Sequence, residues 1–212
     1  MRKERRMIKL AIFDMDGTLT DEPSSWEYVH RRLHTDNHMN FRLYRNGFIS
    51  YEEFFRSDVL AWLRMHPRLK KDDIAGILRD IKLRDGSSEV VNGLKERGLI
   101  TAVVSGGISW LCDILNEYMQ IDYNLSNVIA TDEGGFVQPW GYIRVIPERK
   151  NIAVKSLQSM LHISKDETIS IGDSMENGMI HINSSKAYII GGKGRHGEIP
   201  LGNNIRNLLS YI

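Results

Sequence analysis

The sequence predicts an α/β fold, in which helices cover a parallel sheet and a smaller helical domain is inserted after the first strand. Short apolar runs rich in β-branched residues alternate with segments of helical pattern, as is typical of parallel sheets. Between residues 21 and 83 these runs are missing, and apolar residues recur at helical spacing. A chain of 212 residues has room for one sizeable core and a small accessory domain.

The charge balance argues against two classes of partner. With 28 basic and 27 acidic residues, the chain has no excess charge that would attract nucleic acid or an acidic membrane. The first apolar run ends at Asp14 and is too short for a signal-peptide core or a membrane span. We therefore expect a cytosolic protein, a monomer or homodimer, that does not bind nucleic acid or membranes.

Two carboxylates follow the first predicted strand, which covers residues 8–13. Asp14 and Asp16 are two residues apart in extended chain, so both face one site, and Gly17 allows the turn after them. Ligands of open α/β sheets bind at this C-terminal strand edge. Two close carboxylates need a cation or a proton between them, and the pair therefore predicts a Mg²⁺ site. The alternative is a plain Asp-Gly turn.

Residues 21–83 are predicted to form a helical cap domain, while residues 1–20 and 84–212 form the core domain. Ser50 with Glu53 makes a capping box at the start of the third cap helix. The predicted cap helices cover residues 24–34, 40–46, 50–65 and 71–82.

A second buried strand, predicted over residues 99–104, is followed by Ser105, Gly106 and Gly107 and then by a helical pattern. Free N–H groups at a helix start, together with a hydroxyl, favour a phosphate site. Glycines also serve ordinary tight turns, so this pattern alone leaves both interpretations open.

The remaining segments complete the sheet and add two polar residues at element ends. Asp173 follows a predicted buried strand, and Lys150 stands at the entry of a helix. A lysine is by default an exposed charge, but phosphoryl transfer needs a fixed cation. The predictions are strands over 127–131, 168–171 and 187–190, a hairpin turn at 132–135, an extended segment over 142–146 and a closing helix over 205–212.

Taken together, these strand ends resemble the haloacid dehalogenase superfamily of phosphatases, in its phosphoserine phosphatase-like branch. The matching motifs occur in order as Asp14-Met15-Asp16-Gly17-Thr18, Val104-Ser105-Gly106-Gly107, Lys150 and Gly172-Asp173-Ser174. The resemblance implies a Rossmannoid three-layer sandwich with a parallel sheet and an inserted helical cap.

The resemblance also implies roles for these residues. Asp14 would be the nucleophile that forms an aspartyl-phosphate, and Asp16 would be the general acid and base. Mg²⁺ would be held by Asp14, Asp173 and the main-chain carbonyl of Asp16. Ser105, the Gly106 N–H and the catalytic Lys150 would bind and neutralise the phosphate oxygens.

Two positions depart from the family pattern. Asn177 stands where a further aspartate is usual; it would orient a metal-bound water without adding charge. The substrate-binding glutamate expected nine residues after the nucleophile is replaced by Pro23, with Glu22 one place early. Substrate contacts are therefore expected from Glu22 and from a cap arginine, Arg42 or Arg45.

The leading interpretation is a Mg²⁺-dependent phosphomonoester hydrolase for a small phosphorylated metabolite, similar to phosphoserine phosphatase. One alternative is a phosphatase or phosphotransferase for a sugar or cofactor phosphate. Another is a non-catalytic phosphate-binding protein of this fold. The intact acid pair disfavours the last, because a binding protein has no physical reason to keep two carboxylates that repel each other.

Overall fold

A mainly parallel β-sheet forms the centre of the molecule. The computed structural model describes residues 7–173, 181–194 and 197–212. Within these ranges the strands are β1 (Leu10–Phe13), β2 (Ile100–Ile108), β3 (Tyr123–Thr131), β4 (Val137–Tyr142), β5 (Thr168–Gly172), β6 (Lys186–Ile189) and β7 (Ile199–Pro200). Their order across the sheet is β4-β3-β2-β1-β5-β6-β7. Only β4 runs antiparallel to its neighbour among these strands.

Helices follow the first strand and connect the later ones. They are α1 (Ser25–Arg32), α2 (His38–Arg45), α3 (Tyr51–Met65), α4 (Lys71–Arg79), α5 (Ser87–Glu96), α6 (Ser109–Leu115) and α7 (Lys150–Leu161). The capping box predicted at Ser50 and Glu53 is present at the start of α3. The predicted closing helix is instead a short 3₁₀ helix, Ile205–Ser210. No helix in the described ranges is both long and apolar enough to span a bilayer.

The central strand β1 is buried on both faces, as its continuous apolar sequence predicts. It pairs in parallel with β2 and β5. Leu10 and Ile12 belong to an apolar cluster that includes residues of α7, whereas Ala11 and Phe13 belong to a cluster that includes α5 and the helices α1, α3 and α4. Because helices cover both faces of the sheet, the predicted three-layer α/β fold is confirmed.

The hairpin of β3 and β4 at the sheet edge differs from the prediction. The turn at residues 132–135 connects β3 directly to β4, so the second strand begins at Val137, and the extended segment expected over 142–146 is wrong beyond Tyr142. The reason is a buried side chain: Asn127 Oδ1 accepts the N–H groups of Arg144 and Val145 at 2.9 and 3.0 Å. Backbone groups satisfied in this way need no strand partner.

The four helices α1 to α4 lie between β1 and α5 in the chain. The two chain segments that connect this helical block to the sheet run side by side. Thr20 and Leu83 form an isolated antiparallel bridge, and the Arg84 N–H donates to the Leu19 carbonyl. Buried residues of the block, among them Phe55 and Trp62, belong to the same apolar cluster as Phe13 of the sheet. The helical block is therefore packed onto the sheet.

Candidate active site

Asp14 lies directly after β1 and forms a buried ion pair with Lys150. The Lys150 Nζ donates to Asp14 Oδ2 at 2.7 Å, and the two side chains are only 6% and 5% exposed. Asp14 Oδ1 accepts the Met15 N–H at 2.8 Å. Lys150 is the first residue of α7, as predicted, but it is buried where most lysines are exposed. A buried lysine needs a charged partner, and Asp14 provides it.

Asp16, two residues further on, has neutral partners instead. Its Oδ2 accepts the backbone N–H of Ser25 at 3.0 Å and the Ser25 hydroxyl at 2.8 Å. Its Oδ1 is buried and has no hydrogen-bond partner in the described part of the chain. Burial therefore raises the pKa of Asp16 to about 7, although the two bonds from Ser25 oppose the shift. A carboxyl group with such a pKa can both donate and accept a proton near neutral pH.

Ser105, Gly106 and Gly107 lie within β2 and not at the start of a helix. The pairing of β2 with β3 is irregular between Val104 and Ile108, and α6 begins only at Ser109 with seven residues. The predicted helix does follow the Ser-Gly-Gly segment, but the segment itself belongs to the end of the strand. A bulge in a strand leaves backbone groups without a ladder partner, so it too can present N–H groups to an anion.

The carbonyl oxygen of Gly106 receives donors from two parts of the molecule. Asn127 Nδ2, from β3, donates at 3.0 Å. From the helical block, Trp26 Nε1 donates at 3.0 Å and the Tyr51 hydroxyl at 3.4 Å. The Ser105 hydroxyl is buried and accepts the Gly107 N–H at 3.1 Å. The Ser-Gly-Gly segment is therefore held from both sides.

Asp173 follows β5 and lies against the turn after Asp16. Gly17 has a φ of 70°, and a Cβ atom there would collide with the Asp173 carboxylate. Burial and the charge of Asp14 raise the pKa of Asp173, whereas Lys150 and Arg84 lower it. Arg84 also donates to the Gly17 carbonyl at 2.7 Å. This turn is thus closely packed and has no room for a larger residue than glycine.

The oxygen atoms near Asp14 and Asp173 are suitable ligands for a hard divalent cation. Asp14 and Asp173 are close enough for the charge of one to shift the pKa of the other, and a cation between them would relieve that repulsion. The described residues contain no group of three acidic, His or Cys side chains suited to a metal. A site of two carboxylates completed by a main-chain carbonyl and water is the kind that Mg²⁺ accepts. The fourth predicted contributor, Asn177, lies outside the described residues.

A cavity of about 710 Å³ joins these groups to the helical block. Of the predicted site residues it is lined by Asp14, Asp16, Ser105, Gly106, Lys150, Asp173 and Arg45. Arg42 and Glu22 are not among the lining residues. The Glu22 carboxylate instead binds Arg31 at 2.6 Å, so its predicted direct contact with substrate is not supported. Arg45 faces the cavity and pairs with Glu148 at 3.4 Å.

Three residues of this site were missed by the sequence analysis. Ser25 bonds Asp16 and accepts the Ile108 N–H at 3.1 Å, Asn127 supports Gly106, and Arg84 holds the turn after Asp16. The capping signal at this helix start belongs to Ser24, which is the N-cap of α1, and therefore does not single out Ser25. Asn127 and Arg84 have no local pattern that would single them out.

Comparison with known proteins agrees with this architecture. The phosphoserine phosphatase of Archaeoglobus fulgidus is 30% identical over 174 residues, covering 81% of this chain and 48% of that protein, so this chain spans about half the length of that relative. A substrate-bound phosphoserine phosphatase structure matches with a TM-score of 0.77, 19% identity, and 98% and 99% of the two chains. A phospho-aspartyl intermediate analogue of phosphoserine phosphatase matches with a TM-score of 0.74, 19% identity, and 98% and 100% of the two chains.

The two structural likenesses show a shared fold, and the family itself is shown by the sequence. The profile of the haloacid dehalogenase-like hydrolases matches residues 11–176, which run from β1 through the segment after Asp173. That range includes Asp14, Asp16, Ser105, Lys150 and Asp173. This chain therefore belongs to the haloacid dehalogenase-like hydrolase family.

Proposed function

We propose that this protein is a Mg²⁺-dependent phosphomonoester hydrolase, similar to the phosphoserine phosphatases, that acts on a small phosphorylated metabolite through an aspartyl-phosphate. The observation that carries the proposal is the convergence of Asp14, Asp16, Ser105, Lys150 and Asp173 on one cavity. These side chains come from four separate segments of the chain, and each supplies a group that phosphoryl transfer requires.

In the proposed first step, an Asp14 carboxylate oxygen attacks phosphorus and forms a P–O bond as the bond to the substrate alcohol breaks. The departing oxygen takes the proton of Asp16, whose raised pKa suits that role. In the second step water attacks the same phosphorus, Asp16 takes a proton from it, and inorganic phosphate leaves. Both carboxyl groups return to their starting state, so the cycle balances.

The negative charge of the transferred phosphoryl group would be stabilised by a cation and by hydrogen-bond donors that line the cavity. Lys150, the Ser105 hydroxyl and the Gly106 N–H are proposed to bind the phosphate oxygens, and Lys150 is buried beside the nucleophile. Asp14, Asp173 and the main-chain carbonyl of Asp16 would hold Mg²⁺, which would supply positive charge against the repulsion between nucleophile and phosphate. Because burial strengthens electrostatic interactions, these contacts contribute more than they would in water.

The block of residues 21–83 is proposed to act as a cap over the cavity. This is supported by the cap donors Trp26 and Tyr51 on the Gly106 carbonyl, and by Ser25 on Asp16. Of the two arginines expected to contact substrate, Arg45 lines the cavity, where it is paired with Glu148, and Arg42 does not line it. A cytosolic location and a monomeric or homodimeric state stay predictions from the sequence.

The test is hydrolysis of p-nitrophenyl phosphate by the unaltered protein and by Asp14→Asn, each with Mg²⁺ and with EDTA. We expect turnover that requires Mg²⁺ and that falls by about a thousandfold or more in the variant, because the nucleophile is lost. Asp72→Asn, the same change at an exposed position of α4, is the control and keeps full turnover. Metal-independent turnover, or full activity of Asp14→Asn, would overturn the proposed mechanism.

A further inference from the structure

The cavity extends from the proposed catalytic groups into the cap, where it meets a buried carboxylate that the mechanism does not use. Asp58, on α3, is only 4% exposed yet lines the cavity. Its neighbours on the wall are His30 and Asn37, which both donate to it. A carboxylate is rarely buried without a role or a full set of donors.

The donors of this network reach only one of the two Asp58 oxygens. His30 Nε2 lies 3.0 Å and Asn37 Nδ2 lies 2.6 Å from Oδ1. No other residue in the described part of the chain bonds Oδ2, so that oxygen can still accept a donor from a bound molecule. The His30 ring is held by Thr35 at its other nitrogen, at 2.8 Å. Burial raises the pKa of Asp58, so a cation beside it would be stabilising.

Aromatic side chains line the same cavity as this carboxylate. Tyr44 and Phe54 stack with centroids 5.3 Å apart, and Trp26 meets Phe55 edge to face at 5.1 Å. These four, with Phe41, line the cavity. Aromatic faces attract ammonium groups and also bury alkyl chains.

The charges at the cap end favour a cation over an anion. The two arginines that line it are already balanced: Arg31 pairs with Glu22 at 2.6 Å and Arg45 with Glu148 at 3.4 Å. The cavity is also lined by the carboxylates of Glu27, Asp36, Asp58 and Glu148, of which Glu148 is the partner of Arg45 and Asp36 that of His38. A substrate carboxylate would have to displace an existing partner of an arginine, whereas an ammonium group would not.

We propose that the cap end of the cavity binds an ammonium group of the substrate through Asp58 and the aromatic wall. The substrate class is then a phosphomonoester in which an apolar body separates the phosphate from an ammonium group, with no carboxylate beside that group. A cavity of about 710 Å³ has room for such a body between its two ends. This inference rests on the proposed function, because it takes the phosphate to bind beside Asp14.

The test on the unaltered protein uses ω-aminoalkyl phosphates of increasing chain length, each paired with the n-alkyl phosphate of equal length. Within a pair only the charged end differs, so kcat/KM isolates recognition of the ammonium group. We expect the amine to exceed its partner by about tenfold or more at a preferred length, the size of a desolvated cation contact. We also expect phosphoserine to be a poorer substrate than that amine.

Two variants locate the effect. Asp58→Asn should reduce the advantage of the amine to less than about threefold, while Asp72→Asn, an exposed acid of α4, should retain it. Equal kcat/KM within every pair, an advantage unchanged in Asp58→Asn, or a tenfold preference for phosphoserine would overturn the inference. Hydrolysis of p-nitrophenyl phosphate separates the two proposals: if it proceeds while the pairs are equal, only the ammonium site fails. If neither p-nitrophenyl phosphate nor any of the paired substrates is hydrolysed, both proposals fail.

Discussion

Asp14 and Asp16 stand two residues apart, yet their surroundings prepare them for different chemistry. Asp14 is bonded to the buried Lys150 ammonium, so its charge is balanced in place. Asp16 receives only neutral donors from Ser25, and burial raises its pKa to about 7. In the proposed mechanism the same kind of side chain would serve as a nucleophile in one position and as a proton carrier in the other, because the environment sets the protonation state.

Asp16→Asn should discriminate between substrates by their leaving groups. Alkyl phosphates need a proton on the departing oxygen, so we expect their turnover to fall by about a hundredfold or more. The p-nitrophenolate ion leaves without a proton, so the rate at which p-nitrophenyl phosphate phosphorylates Asp14 should fall much less. The second step, which needs Asp16 as a base, should then be slow, and labelled phosphate should accumulate on the protein. Equal losses for both substrates, with no accumulated label, would contradict the assigned role.

Asn127 is expected to affect phosphate binding although it lies outside the cavity wall. It is fully buried and donates to the carbonyls of Gly106 and Val145. In Asn127→Ala these groups lose a buried partner, which costs about 1 to 3 kcal/mol for each group left unpaired. We expect inorganic phosphate to inhibit about tenfold less strongly, because the Ser-Gly-Gly segment loosens.

Asn124→Ala is the matched control for that experiment, since it changes the same residue type on the same strand. Asn124 bonds Ser109 and Asp113 and does not contact Gly106. It should lower the free energy of unfolding but leave the inhibition constant of phosphate unchanged. If both variants weaken phosphate inhibition equally, the effect comes from general loss of stability and not from the support of Gly106.

At the scale of elements, Glu167 connects the N-terminal ends of two neighbouring strands. Its carboxylate binds Lys9 before β1 at 2.6 Å and closes a capping box with Ser164 before β5. The Lys9 N–H also donates to the Glu167 carbonyl at 2.8 Å. The bonds from Lys9 and Ser164 to the carboxylate lower the pKa of Glu167 from an ordinary value of 4.5 to about 2, and the bond from the Lys9 side chain is the largest cause.

The sign of the resulting pH dependence follows from this shift. Because the folded pKa lies below the unfolded one, the stabilisation is complete above pH 4.5 and is lost as the pH falls toward about 2. The difference in unfolding free energy between the unaltered protein and Glu167→Gln should therefore be largest at neutral pH and shrink through this window. Urea unfolding at several pH values measures it, and the exposed Glu96→Gln serves as control. A difference that stays constant with pH would refute the linkage.

At the scale of the whole molecule, the proposed cap, residues 21–83, and the sheet share one apolar core. The buried cluster that contains Phe13 and Val103 of the sheet also contains Phe55, Val59 and Trp62 of α3. Parts that share a core lose their packing together, so we expect the cap and the sheet to unfold in one transition.

Trp62→Ala tests this expectation. Trp62 is fully buried, and its removal should lower the free energy of unfolding by about 3 to 5 kcal/mol. Tryptophan fluorescence, far-ultraviolet circular dichroism and loss of turnover should all shift together. Trp140→Ala, which removes a tryptophan that is 54% exposed, should change stability by less than about 0.5 kcal/mol. Two separate transitions, of which only one moves in Trp62→Ala, would show that cap and sheet are independent.

Local patterns in the sequence were sufficient for the fold class and for the polar residues that end the strands. The strands β1 and β5 are fully buried and carry no charged side chain, so Asp14 marks the end of β1 and Asp173 the end of β5. The capping box of Ser50 and Glu53 spans only four residues, so it too can be predicted from the local sequence. Because parallel strands end at one edge, the convergence of these groups followed from the order of the motifs.

Only the tertiary structure determined which hydrogen-bond and ion-pair partners the side chains have. Glu22 binds Arg31 and does not line the cavity, and Ser25 donates to Asp16. Asn127 satisfied the backbone of residues 144 and 145, which removed a predicted strand. Such choices depend on distances between residues far apart in the chain. Sequence periodicity records which side of an element is buried, but it does not record what lies opposite.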